Sequence, residues 1–146
     1  MKPTLLSLLA AAALATPAFA QDDVLKKAAA EPGAVVTDSG LVFRSLKDGS
    51  GAKPAASDVV RVHYRGTFPD GREFDSSHKR GQPAEFPLNR VIPCWTEGVQ
   101  RIGVGGKAKL TCPSRTAYGE RGTPGGPIPP NATLLFEVEL IGIVKR

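Results

Sequence analysis

From residue 40 onward, apolar and polar residues alternate in short runs with the period of half-buried β-strands. Leu41 to Leu46 and Val59 to Phe68 are the first two runs, and Pro69-Asp70-Gly71 turns the chain after the second. A short strand is expected around Phe74, then a polar flap from Ser76 to Pro83, then a further short strand from Phe86 to Leu88. Lys107 to Cys112 alternates with Ala108, Leu110 and Cys112 on the inner side. Thr133 to Val144 does so again, with Leu134, Phe136, Val138 and Leu140 opposed to Leu135, Glu137, Glu139 and Ile141. The internal stretch with helical spacing is Pro93 to Ile102, where Trp95, Val99 and Ile102 share a face, Pro93 opens the helix and Gly103 stops it. Strands with one wet face belong to an antiparallel sheet, and the short helix is then needed to cover the other face. The predicted fold class is an α+β half-barrel.

The first forty residues follow a different rule. Lys2, the apolar run Leu5 to Leu14 and the small-x-small triplet Ala18-Phe19-Ala20 have the layout of an export signal over residues 1–20, cleaved before Gln21. A membrane span needs roughly 20 apolar residues, and this run meets Pro17 too early. Removing 1–20 leaves 126 of the 146 residues and takes away Lys2, so the net charge falls from +5 to +4. That length suits one core. The expected location is therefore the periplasm or the medium. Residues 21–35 form a charged, alanine-rich arm, helical up to Pro32, and the domain proper runs over 36–146. The arm is only fifteen residues long, and a monomer is expected. The cations are dispersed: Arg61, His63 and Arg65 alternate with Val60, Val62 and Tyr64 as the wet face of a strand, and with the export signal they argue against nucleic acid. His63 and His78 lack ligand-spaced partners for a metal, and Gly103-Val104-Gly105-Gly106-Lys107 lacks the spacing of a phosphate loop.

The chemistry is carried by scattered residues. Val62-His63-Tyr64, Glu73-Phe74-Asp75-Ser76-Ser77, Val91-Ile92-Pro93-Cys94-Trp95, Ala117-Tyr118-Gly119, Ile128-Pro129-Pro130 and Leu135-Phe136-Glu137 together describe an apolar, aromatic pocket with a few polar groups at its rim. Singly, each has an ordinary explanation: Trp95 and Phe136 lie on inner faces as core residues do, and Asp75 can simply satisfy the Tyr64 hydroxyl. In this order over about residues 36–146 they resemble the FKBP family of macrolide-binding peptidyl-prolyl cis/trans isomerases.

The resemblance implies a curved antiparallel sheet wrapped around a single helix. It implies a site with Trp95 as the floor under a proline ring, Tyr64, Phe74 and Phe136 as walls, and Val91 and Ile92 completing the lining. The Ile92 N–H would hold a substrate carbonyl, the Tyr118 hydroxyl would donate to the carbonyl of the twisting amide, and Asp75 would accept from Tyr64 with Arg80 supporting its charge. Ile128 would close one side. No cofactor or metal is needed. Proline-containing polypeptides would be the substrates, and rapamycin or tacrolimus the inhibitors. A proline-segment binding module or holdase with incidental turnover is the alternative, disfavoured because both Asp75 and Tyr118 are present.

The chain departs from the family pattern in four places. Ala84 stands where many members carry an aromatic, with Phe86 two residues later as a substitute. The approach from Leu88 to Val91 is short, and the loop from Tyr118 to Pro129 is one residue longer, with Thr123 and Pro127 where other side chains commonly meet substrate. Cys94 and Cys112 replace a glycine and an aliphatic residue. An even pair in an exported chain suggests a disulfide, with two free buried thiols as the alternative and a catalytic nucleophile disfavoured.

Overall fold

The computed structural model describes residues 17–144. Seven strands form one antiparallel sheet. In chain order the elements are α1 (Pro17–Ala29), β1 (Ala34–Val36), β2 (Val42–Lys47), β3 (Val59–Thr67), β4 (Glu73–Ser76), α2 (Ser77–Arg80), β5 (Ala84–Pro87), α3 (Pro93–Val99), β6 (Lys107–Cys112) and β7 (Leu134–Val144). Spatially the strands run β1-β2-β6-β7-β3-β4, and β5 also pairs with β3. This is the α+β sheet-and-helix architecture that the alternation predicted.

The inner and outer faces follow the sequence pattern. Leu134, Phe136, Val138 and Leu140 of β7 are buried, as are Ala108, Leu110 and Cys112 of β6. They pack with Val60, Val62 and Tyr64 of β3 and with Trp95 and Val99 of α3 into one core. On the outer face the cations of β3 and β6 are paired: Arg61 with Glu85, Arg65 with Glu73, and Lys107 with Glu137. These exposed pairs contribute little stability each, but they leave the face electrically mixed.

Two features arrange the site. The first is that β3, nine residues long, is flanked on one edge by two short strands in succession. Val59–Val62 pair with β5 and Arg65–Thr67 with β4. Between them the chain leaves the sheet and forms the single turn of α2, so the expected polar flap contains a helical turn capped by the Ser76 hydroxyl, which accepts from the His78 N–H. The second is how closely α3 approaches the sheet. A Cβ on Gly98 would sit 2.8 Å from a Leu110 methyl, so the absent side chain lets the helix lie directly on β6.

The boundaries differ from expectation in four places. The strand expected from Phe86 to Leu88 runs instead over Ala84–Pro87, because its pairing with Val59–Val62 ends at Pro87 and Leu88 opens a 3-10 turn. The helix of α3 ends at Val99, three residues before Ile102. Arg101 and Ile102 still donate to the carbonyls three residues back, so Ile102 remains buried although the α-helical pattern has ended. Ala34 and Val35, expected to be arm, belong to the edge strand β1, paired with Arg44 and Phe43 of β2. Three residues are too few for alternation to show, and Val35 and Val36 are both exposed. Finally, α1 stops at Ala29, short of Pro32. Glu31 after it holds Arg44 and Lys109, tying the arm to the sheet. Lys2 and the apolar run of the expected export signal lie outside the described residues. Among the described residues no helix is long and apolar enough to cross a membrane.

Cys94 and Cys112 form a disulfide, with Cα atoms 5.9 Å apart. It joins the first turn of α3 to the end of β6, and both cysteines are completely buried.

Candidate functional site

A cavity of about 350 Å³ opens between the sheet and the start of α3. Tyr64, Phe74, Asp75, Phe86, Val91, Ile92, Trp95, Tyr118 and Phe136 line it together with Arg90. Trp95 is only 4 % exposed and sits among three rings perpendicular to its own. These are Tyr64, Phe136 and Phe86, with centroids at 5.1, 5.5 and 5.6 Å. Phe74 stands edge-on to Phe136 at 5.6 Å. Edge-to-face packing is a favourable arrangement for aromatic quadrupoles, so the rings support one another while leaving the cavity open. The Trp95 indole nitrogen is buried with no hydrogen-bond partner among the described residues, which keeps the floor without a competing polar contact. Phe86 occupies the side left open by Ala84, reaching Trp95 and Tyr64 from the outer end of β5.

The polar rim is a closed triad. The Tyr64 hydroxyl donates to Asp75 Oδ2 at 2.5 Å, Arg80 Nη1 donates to Asp75 Oδ1 at 2.8 Å, and Arg80 Nη2 donates to the Tyr64 oxygen at 2.8 Å. The Ser76 N–H also donates to Asp75 Oδ1. Partial burial pushes the Asp75 carboxyl up, but the bonds from Tyr64 and Arg80 outweigh it and hold it below the usual carboxylate range. Burial, and then the bond to Asp75, push the Tyr64 hydroxyl up. Burial also raises Tyr118, helped by the negative charge of Asp75. Both tyrosines therefore stay protonated donors at neutral pH. Tyr118 is 39 % exposed, and its hydroxyl has no partner among the described residues. The Ile92 N–H, at the N-cap of α3, likewise finds no acceptor there.

Arg80 is placed by a contact that sequence reasoning missed. Ser77 is fully buried, and its Oγ accepts from the Tyr64 N–H at 2.8 Å and meets His63 Nδ1 at 2.9 Å. His78 stacks on His63 with centroids 4.5 Å apart. These bonds pin the turn of α2 against β3 and aim Arg80 back at the rim. In sequence the two histidines looked unrelated.

Arg80 holds Asp75 and Tyr64 from the rim and does not line the cavity. One expected role looks different in three dimensions. Ile128 is 5 % exposed and belongs to the core, outside the cavity lining. The reason is local. Thr123 Oγ1 accepts from the Ile128 N–H and the Thr123 N–H donates to the Ile128 carbonyl, each at 2.9 Å, which folds the longer loop inward. Arg90 joins the lining unannounced, because no periodicity marks a single exposed arginine in front of Val91.

One glycine makes room for the walls. Gly66 of β3 pairs with Asp75 on one side and Phe136 on the other. A Cβ there would lie 2.6 Å from Phe74 and 3.0 Å from Phe136. Gly66→Ala is expected to displace both rings and destabilise the fold by about 1–3 kcal/mol, as overpacking does. Denaturant unfolding measures it, and a midpoint equal to wild type would mean that the rings swing aside freely.

Residues 50–141 match the family described as FKBP-type peptidyl-prolyl cis-trans isomerase. The chain is 54 % identical over 124 residues to an FKBP-type peptidyl-prolyl cis-trans isomerase FkpA of Aeromonas hydrophila, covering 85 % of this chain and 46 % of that one. It is 53 % identical over 120 residues to the FKBP-type 22 kDa isomerase of Escherichia coli, covering 82 % and 58 %. The chain thus spans about half the length of the curated relatives it matches. Among solved structures, FkpA from Escherichia coli superposes with a TM-score of 0.84 at 46 % identity, covering 88 % of this chain and 60 % of that one. A peptidyl-prolyl cis-trans isomerase from Pseudomonas syringae pv. tomato superposes with a TM-score of 0.79 at 38 % identity, covering 86 % and 92 %.

Proposed function

The chain belongs to the FKBP-type peptidyl-prolyl cis-trans isomerase family, and from that premise we propose that it accelerates rotation about X–Pro bonds in exported polypeptides as they fold. The observation that carries this reading is the cavity itself: an aromatic floor and walls, with one neutralised carboxylate and two donors unpartnered among the described residues, Tyr118 and the Ile92 N–H, at its edge. Rotation needs no nucleophile. The barrier of about 18–20 kcal/mol is lost amide resonance, and about four decades in rate need only roughly 5–6 kcal/mol of differential stabilisation. The planar amide is more dipolar than the twisted one, so a site that removes water and replaces it with hydrocarbon disfavours the ground state. Trp95, Phe74 and Phe136 supply that environment. The Ile92 N–H holds a neighbouring carbonyl, and the Tyr118 hydroxyl donates to the carbonyl of the twisting bond.

Asp75 serves by organising the rim. With Oδ2 taken by Tyr64 and Oδ1 by Arg80, it presents no bare charge to the substrate. Export is supported by the charged, apolar and small-residue order of residues 1–20. It is also supported by 45 % identity over 124 residues to a relative named outer membrane protein MIP, from Legionella longbeachae.

The test is NMR exchange on a proline peptide with residues 21–146, with and without rapamycin or tacrolimus. Catalysis abolished by the macrolide is the expected result. Tight macrolide binding without catalysis would replace the isomerase with a binding module, and neither would mean that the cavity serves another purpose.

A further inference from the structure

The cavity carries a charge that the rim triad leaves over. Asp75 is neutralised by Arg80, so its pairing cancels both charges. Arg90, the last residue of the 3-10 turn Leu88–Arg90, also lines the cavity and is exposed. Among the described residues it makes neither an ion pair nor a side-chain hydrogen bond, whereas other exposed cations do: Arg61 is held by Glu85, and Arg65 and Lys79 by Glu73. The carboxylate of the adjoining groove, Glu97, accepts from the Ser39 hydroxyl at 2.5 Å. A guanidinium unpaired among the described residues therefore lines the cavity, carried by the residue directly before Val91 and Ile92 in the chain.

We infer that Arg90 is a specificity-determining residue that favours substrates with an aspartate or glutamate next to the proline. The inference rests on the isomerase reading above and adds to it a class of substrate. A solvent-facing guanidinium gains from a carboxylate by charge-assisted hydrogen bonding, and exposed pairs of this kind are modest. The expected preference for glutamate over glutamine is about two- to fivefold in kcat/KM at low salt. Apolar walls around Trp95 continue to hold the proline whatever its neighbours are. The charge acts on the flanking residue alone.

The experiment uses three blocked hexapeptides, alike except for the residues beside the proline: glutamine on both sides, glutamate before it, and glutamate after it. Isomerisation is followed by NMR exchange, which avoids a protease with its own preferences. The readout is the Glu-to-Gln ratio of kcat/KM within each protein, so a general loss of activity cancels. In the wild type one glutamate peptide should exceed the glutamine peptide. The ratio should fall to about one in Arg90→Gln, drop below one in Arg90→Glu, and shrink toward one in about 0.5 M salt, where exposed charges are screened. A wild-type ratio of one or less at both positions, or the same ratio in Arg90→Glu, overturns the inference. If the wild type fails to isomerise the glutamine peptide, the isomerase reading falls separately. The quenching of Trp95, the single tryptophan, then gives the same Glu-to-Gln ratio as affinities and still decides the role of Arg90.

Discussion

Replacing Cys94 and Cys112 together by alanine is expected to cost about 3 kcal/mol of stability and lower Tm by about 10–15 °C. The two residues are 18 apart in sequence and completely buried. In the chain-entropy account, closing a loop of that length removes freedom from the unfolded chain and leaves the folded one unchanged. The tether runs from the first turn of α3 to the end of β6, and Cys94 is the residue before Trp95. Losing it therefore loosens the element that carries the floor of the cavity. Reduction of the wild type by dithiothreitol should reproduce most of the loss without the small cavity that alanine leaves. Equal denaturant midpoints for oxidised, reduced and double-alanine proteins would show that the helix is held by packing alone, through contacts such as Gly98 against Leu110.

Asp75→Val is expected to lower kcat/KM about ten- to thirtyfold while leaving a folded protein. That corresponds to about 1.4–2 kcal/mol, the size of a hydrogen bond to a charged group. The substitution strands Arg80 and the Tyr64 hydroxyl, both of which close on Asp75, so the rim loses its orientation. Asp75→Asn should fall between, since an amide oxygen can accept from Tyr64 but cannot balance Arg80. Undiminished turnover in a stable Asp75→Val protein would mean that the aromatic lining alone does the catalysis.

The pH profile gives an independent check on the same groups. The Asp75 carboxyl is held below its ordinary 3.8, so the ionised form is favoured by folding and is lost only as pH falls through that depressed value. Tyr64 and Tyr118 are raised above their ordinary 10.0 and remain donors until pH climbs past it. Turnover should accordingly be level from pH 5 to 9. A decline on the alkaline side would mean that a tyrosine ionises where burial should keep it neutral.

The strands, the helix and the inward faces were legible in the sequence because each depends on a short-range period. Leu134 to Leu140 alternates over seven residues, and Pro93 with Trp95 and Val99 marks a helix within about two turns. The aromatic lining was readable as well, since Tyr64, Trp95 and Phe136 had to point inward once the faces were assigned. Tertiary structure alone decided the rest. The stacking of His63 on His78 and the bond from Ser77 to Tyr64 join residues 13 or more apart across an interruption in the sheet edge. No period reports such a meeting. Ile128 went to the core because Thr123 captured its backbone, a loop-closing contact that composition does not encode. Arg90 acquired meaning only when the fold placed it in the cavity lining with no ion pair among the described residues. Local pattern determines which face a side chain takes, because that is fixed by backbone geometry over a few residues. Which charges and hydroxyls remain unsatisfied is a property of the assembled molecule, because it depends on every partner the fold brings within reach.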